Sequence, residues 1–447
     1  MAVINWILEA GASVMLPIVI IILALLLGEK PGKAIRSGIM IGIGFVGIGL
    51  VVDLMLENLG PAAQAMAERF GVELTVIDVG WPGASPMTWA SQIGSIAIPV
   101  AVLVNILMLL CGLTKVVNVD IWNVWHMAFT GALLHIATDN FWIGVVGVVI
   151  HAALVYKLGD WFAPLVEDYY ELDGIAIPHG TSAYLGPIAI PFEWLVDKIP
   201  GIRDININAE KIEEKLGVFG EPIIIGGILG LFISLLAGYS FQQALQLSIT
   251  TAAVMELMPK MVKCIMEGLM PVSEAARKML SKKFAGKQFY IGLDPALLLG
   301  DSQVVAASLI FIPLTILIAL IVPGNKVLPF GDLATIGFFV AMAVAVHKGN
   351  IFRTIISGSV IMYLTIWIST QTIPYHTVLA QNAGQQASAV ASLDQGGSPI
   401  TYILLQIFKL DNLLGLSIIG VAYIACLVCT YSYYKSYKNK LGVQKSQ

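Results

Sequence analysis

Apolar runs of helical length alternate with short polar stretches along the whole chain. Residues 12–27, 37–56, 93–113, 141–155, 222–238, 241–258, 304–322, 333–346, 354–370 and 413–429 are the clearest. Most approach the roughly 20 residues that cross a bilayer as a helix. The pattern breaks at Asp78-Val79-Gly80-Trp81-Pro82-Gly83-Ala84-Ser85-Pro86-Met87-Thr88-Trp89. Two prolines, two glycines and a carboxylate make a poor continuous helix. In a membrane, broken backbone survives only where protein or a water-filled cavity satisfies it. The segment 83–89 is echoed by Gly396-Gly397-Ser398-Pro399-Ile400-Thr401-Tyr402, and each copy follows an aspartate, Asp78 or Asp394. Paired interrupted segments in two halves of a chain point to a transporter's binding site. The pattern leaves open whether the copies run parallel or inverted.

Two further interruptions carry polar tips. Residues 174–192 hold His179-Gly180 between apolar pieces too short to span, and 292–303 hold Asp294 and Asp301. Both are expected to be re-entrant hairpins. The expected organisation is a first membrane half (1–192, with the broken segment 78–89), a soluble connection (193–221), a second half (222–432, with the broken segment 394–402) and a tail (433–447). Lys and Arg in short loops set orientation. Between 259 and 290 stand seven bases (Lys260, Lys263, Arg277, Lys278, Lys282, Lys283, Lys287) against Glu267 and Glu274. That loop and the tail, with Lys435, Lys438, Lys440 and Lys445, are expected in the cytoplasm. The N-terminus is expected outside, without a cleavable leader. The fold class is therefore an all-α polytopic membrane protein with an internal repeat and roughly 9 to 11 full spans, an odd number because the ends lie on opposite sides.

Composition agrees with this. The 447 residues are 57% hydrophobic and 12% charged, against about 25% charged in soluble domains. The run Gly42-Ile43-Gly44-Phe45-Val46-Gly47 has the spacing of a dinucleotide fingerprint. It lacks a preceding strand, so close helix packing explains it better. Cys426-x-x-Cys429 lies within an apolar run and reads as packing. No Walker A, HExxH or nucleophile elbow is present, so ATP-driven pumping, metal binding and a stand-alone membrane enzyme are disfavoured; no cofactor and no nucleic acid are expected.

Ionisable residues within membrane segments are costly and default to function. The candidates are Asp78, His135, Asp139, His179, Asp294, Asp301 and Asp394. Imidazoles and carboxylates would hold the hydroxyls of a sugar or polyol, with Trp81 against its C–H face. Asp294 precedes Pro295 and could equally cap a helix. Asp78 and Asp394 could be caps too, and His135 a packed core histidine. His126, His151, His347 and His376 are expected to be structural or on the surface. The competing transport reading is an ion-coupled carrier using Asp78, Asp294 and Asp394.

Residues 79–83 (Val-Gly-Trp-Pro-Gly), 118–123 (Asn-Val-Asp-Ile-Trp-Asn), 174–184 (Gly-Ile-Ala-Ile-Pro-His-Gly-Thr-Ser-Ala-Tyr) and 393–399 (Leu-Asp-Gln-Gly-Gly-Ser-Pro) resemble the galactitol-type IIC permeases of the bacterial phosphoenolpyruvate-dependent phosphotransferase system. The ascorbate-type IIC permeases are more distantly similar. The resemblance implies an inner-membrane homodimer with an elevator-type core and a scaffold. It implies hand-over of the substrate to a separate IIB protein, itself served by IIA, with no phosphorylated residue in this chain. It also implies substrate contacts at Val79, Gly80, Trp81, Thr130, Gly131, His135, His179, Gly180 and Asp294. Ser85, Asp78, Asp139, Asp394, Gln395 and Ser398 are secondary candidates.

Overall fold

A computed structural model describes residues 12–70, 74–207, 222–283, 289–383 and 389–444. The N-terminal residues 1–11, Lys287, Lys445 and residues 208–221 of the soluble connection lie outside the described residues. The chain is mostly helical, as expected, but not all-α. Among the described residues five parallel strands of two or three residues join its halves.

The order begins with α1 (Ala12–Leu26), the 40-residue α2 (Pro31–Phe70) and β1 (Val76–Ile77). Then come α3 (Gly80–Trp89), α4 (Gln92–Leu110), β2 (Val116–Asn118), α5 (Trp122–Thr138), α6 (Phe141–Tyr170), β3 (Ile175–Ala176) and α7 (Gly180–Asp197). The second half opens the same way, with α8 (Pro222–Leu236), the 43-residue α9 (Phe241–Lys283) and β4 (Tyr290–Gly292). A 3-10 turn (Pro295–Gly300), α10 (Ser302–Ile321), β5 (Val327–Leu328) and a second 3-10 turn (Gly331–Thr335) follow. The chain ends with α11 (Gly337–Val346), α12 (Ile351–Asn382), α13 (Pro399–Lys409) and α14 (Leu413–Gln444).

Two local expectations change, and the interruption expected at 174–192 takes a definite form. Residues 80–89 form a helix, because Pro82 falls in its first turn, where a missing N–H costs nothing. The basic stretch after 259 continues α9 as far as Lys283 instead of forming a loop, since Lys, Glu, Met and Ala are good helix formers. Residues 174–192 are a strand, a turn at Pro178-His179 and one continuous helix. Among the described residues five helices are long and apolar enough to cross a membrane: Gln92–Leu110, Phe141–Tyr170, Ser302–Ile321, Ile351–Asn382 and Leu413–Asn439.

The strands pair across the halves. β4 lies between β2 and β3, with Val117 and Ile175 both opposite Ile291. β1 pairs with β5, Val76 opposite Val327, and Asp78 bridges to Ala391. Each half's first strand thus sits between two segments of the other. By this order Val76–Ile77 takes the place of Tyr290–Gly292. The Gly-x-Ser-Pro echo does not follow it. Ser85 lies inside α3, whereas Ser398 is the N-cap of α13. The first copy fills the body of α3 and the second starts α13, so the same residues recur in different local settings.

The helices α5 and α11 form the centre. All of α11 is buried, as is α5 from Trp122 to Leu134. The long helices α2 and α9 pack on each other, with α1 and α8 alongside.

Candidate functional site

Each set of crossed strands ends in aspartates. At the first crossing the Asp78 carboxylate accepts from four backbone N–H groups. Gly80 and Leu393 donate to Oδ1, Phe330 and Asp332 to Oδ2, each at 3.0 Å. Asp332 accepts from Trp81 N at 2.8 Å on Oδ1, and from Asp394 N at 2.8 Å and Ser392 Oγ at 3.1 Å on Oδ2. Gly80 is forced here: its φ is +65°, and a Cβ would lie 2.5 Å from the Gly331 carbonyl carbon.

At the second crossing Asp120 accepts from Trp122 N at 2.9 Å and Asp294 N at 3.0 Å. Asp294 Oδ1 accepts from Ala296 N at 2.8 Å, which is the cap that its position before Pro295 suggested. Its other oxygen, Oδ2, lies 3.7 Å from His179 Nε2. With its side chain 16% exposed, it is the most open of these carboxylates.

His179 joins the two crossings. It stands at the N-cap of α7 in the extended geometry usual for that position (φ −102°, ψ 131°) and makes no side-chain cap bond. Its ring is edge-on to His126 at 4.1 Å between centroids, and to Phe338 at 5.6 Å. His126 Nε2 lies 3.1 Å from Asp394 Oδ2. Thr181 Oγ1 donates to Asp394 Oδ1, and Gln395 Nε2 donates to the same oxygen at 3.2 Å. Gly180 permits this closeness: a Cβ there would meet His126 Cβ at 2.8 Å and Gln395 Nε2 at 2.9 Å. Trp81 and Trp122 close one side, edge to face at 5.4 Å.

Several buried polar atoms here have no partner within the protein: His179 Nδ1, His126 Nδ1, Asn123 Oδ1, Gln395 Oε1 and Trp81 Nε1. Leaving such an atom unsatisfied costs about 1–3 kcal/mol. Five together are the mark of a site that hydroxyl groups can complete, because a hydroxyl both donates and accepts. Among the described residues no group of three His, Cys, Asp or Glu is arranged for a metal ion.

The remaining candidates are spread more widely. Val79 N pairs with the Ala391 carbonyl at 2.9 Å. Thr130 Oγ1 lies 2.8 Å from both His151 Nδ1 and Thr401 Oγ1, in a separate polar group between α5, α6 and α13. Gly131 lets α5 and α6 touch; a Cβ would lie 2.6 Å from the Gly144 carbonyl oxygen. His135 is half-buried beside Phe141, their ring centroids 6.0 Å apart. Asp139 is exposed and ends α5 in the left-handed region (φ 50°). Asp301 caps α10, accepting from Gln303 N and Val304 N at 3.0 Å. Ser85 and Ser398 are buried with Oγ unpartnered.

His126, Asp120, Thr181, Asn123 and Asp332 escaped the sequence reading. The four histidines expected to be structural or on the surface, His126, His151, His347 and His376, are all buried. A signal for His126 existed: Trp122, Asn123, His126 and Thr130 form a polar and aromatic stripe at helical spacing on an otherwise apolar helix.

The profile of the family described as PTS system sugar-specific permease component (EIIC-GAT) matches residues 6–389. The chain is 61% identical over 431 residues to the PTS system galactitol-specific EIIC component of Escherichia coli K12, covering 96% of each chain. It is 40% identical over 421 residues to a putative permease IIC component of the same strain, covering 93% of this chain and 95% of the relative.

Proposed function

From the premise that the chain belongs to the sugar-specific permease component family of the phosphotransferase system, we propose that it carries galactitol across the inner membrane and presents it for phosphorylation to a separate IIB protein, itself served by IIA. The observation that carries the choice of galactitol is the identity to the galactitol-specific component, sustained over 96% of both chains. The polar group around His179 supports it. His179, His126, Gln395 and Asn123 offer buried donors and acceptors to hydroxyls, and Asp294 Oδ2 offers a strong acceptor. Trp81 and Trp122 offer ring faces to the C–H surface of a polyol. Val79 and Gly80 hold Trp81 in place through the strand crossing.

The two halves, 12–197 and 222–444, are read as repeats of inverted topology that exchange their first strands, with the turns before α7 and after β4 as their hairpin tips. The matching order of elements and the crossed pairing support that reading. The group α1, α2, α8 and α9 is the scaffold through which two copies pair. The core around α5 and α11 moves against it in elevator fashion, with the N-terminus outside and the C-terminus cytoplasmic.

The test is uptake of labelled galactitol into vesicles with matching IIA and IIB. Uptake should require phosphoenolpyruvate and proceed unchanged after the proton gradient is collapsed. Uptake that follows the gradient and ignores phosphoenolpyruvate would refute the proposal in favour of an ion-coupled carrier.

A further inference from the structure

We infer that Asn105 is a positioning residue for the substrate: acting through β2 and Asn118, it fixes the Asn123 side chain so that Asn123 Oδ1 is left to accept a hydroxyl of the polyol. This rests on the reading of a polyol bound beside His179.

Asn105 is a polar residue within α4, an apolar span that turns Val102, Leu103, Ile106 and Leu107 outward. A polar side chain in such a span is costly and defaults to function. Its amide is buried against β2. Nδ2 donates to the Val116 carbonyl at 2.9 Å, and Oδ1 accepts from Asn118 N at 3.1 Å. The opposite edge of β2 is taken by β4. Asn105 thus serves as the neighbour on the free edge of a three-residue strand. Only a carboxamide fills that place: leucine has the shape but neither polar group, and an ionised carboxylate lacks the donor.

The polarity of this contact carries on to the site. Asn118 Nδ2 donates to the Asp120 carbonyl at 3.0 Å, so its Oδ1 faces Asn123 as an acceptor. Asn123 must therefore turn Nδ2 to it, at 2.7 Å. Its own Oδ1 is left buried without a partner in the protein. Asn123 Nδ2 also lies 3.5 Å from the Leu293 carbonyl, next to Asp294, and His126 follows one turn along α5. An amide free to turn could offer a ligand either its N–H or its oxygen. Three amides in series remove that choice, and what remains is an acceptor that reads an O–H pointed at it. A contact held by such supporting bonds is placed more sharply than a free side chain would place it.

The experiment is a double-mutant cycle, read as equilibrium binding of galactitol to the purified full-length protein in nanodiscs. Asn123→Ala should weaken binding by about threefold to tenfold, the loss of one neutral hydrogen bond. Asn105→Leu should weaken it by a similar factor. Adding Asn105→Leu to Asn123→Ala should change affinity by less than about twofold further, because the oxygen that Asn105 positions is already gone. Asn118→Ala removes the middle link and should give the same pattern. It carries the cycle where Asn105→Leu yields no folded protein. A residue that only braces β2 would multiply its loss of affinity onto that of Asn123→Ala, and that outcome overturns the inference. So does binding within about twofold of wild type by a folded Asn105→Leu or by Asn123→Ala. Failure of galactitol to bind the wild type marks the failure of the substrate reading, which takes the inference with it. Independent losses beside normal wild-type binding mark the failure of the inference alone.

Discussion

The two strand crossings are built from the same parts, a short parallel strand followed by an aspartate whose carboxylate gathers backbone N–H groups, yet they finish differently. At the first, both oxygens of Asp78 are bonded twice and Asp332 accepts three further donors. At the second, Asp294 spends one oxygen on Ala296 and turns the other to His179. The first carboxylate is fully used in holding loops from opposite ends of the chain together. The second has acceptor capacity to spare, and that oxygen lies 3.7 Å from His179 Nε2. A carboxylate in a membrane protein is therefore better judged by its unspent acceptors than by its depth.

The sharpest way to break this comparison is to remove the fully used carboxylate. Asp78→Ala strands four buried N–H donors at once, from Gly80, Phe330, Asp332 and Leu393. Each orphaned donor costs about 1–3 kcal/mol, so the loss should exceed about 3 kcal/mol and deplete folded protein. Thermal unfolding in detergent checks it. A melting temperature near wild type would show that the first crossing is not a structural clasp.

The counterpart change should spare the fold. Asp294→Asn keeps an oxygen for Ala296 N but replaces the acceptor that faces His179. Galactitol affinity should fall at least about tenfold, equivalent to about 1.4 kcal/mol, at little cost in stability. Binding close to wild type would erase the distinction between the two crossings.

His179→Ala probes the link between them. The ring contacts His126 and Phe338 and approaches Asp294, but makes no cap bond to α7. Losing a buried hydrogen bond to ligand should weaken binding by roughly ten- to a hundredfold, or about 1–3 kcal/mol. If the ring only braces the turn, melting temperature will drop while the affinity of the folded fraction holds. Measuring both on one preparation separates the cases.

How much of this could be read from the chain follows from what each signal depends on. The breaks at 78–89, 174–192 and 292–303 were visible because Pro, Gly and Asp interrupt apolar runs, and the structure places Trp81, His179 and Asp294 at or beside those breaks. The strands were invisible, since two or three residues are too few to show a period of two. Their partners lie in the other half of the chain, at distances no local pattern reports. His126 was grouped with the histidines expected to be structural or on the surface, although its stripe with Trp122, Asn123 and Thr130 was there to be read. The echo of Gly83–Trp89 in residues 396–402 misled for a physical reason. Gly, Ser and Pro are a small vocabulary, used in the body of α3 by the first copy and at the start of α13 by the second, at different places in the order of elements.

That echo still supports the smallest and most discriminating test. Ser91, shortly after the first copy, caps α4 by accepting from Gly94 N at 3.0 Å. Ser398 occupies the same kind of position on α13 but makes no cap bond, and Ser85 is buried with its hydroxyl equally unspent. A hydroxyl that serves as a cap costs about 1 kcal/mol of stability when removed. One that has no partner costs almost nothing, so Ser85→Ala and Ser398→Ala should each change stability by less than about 0.5 kcal/mol. If both hydroxyls line the path of the polyol, each alanine should weaken binding by about threefold to tenfold, the value of one neutral hydrogen bond of about 0.5–1.5 kcal/mol. Cysteines at the same two positions should then be shielded from thiol reagents by galactitol. Shielding at Ser398 alone would place only the second copy at the substrate and leave Ser85 as packing beneath the first crossing. Shielding at neither would confine the substrate to the face of the second crossing, where Asp294 is.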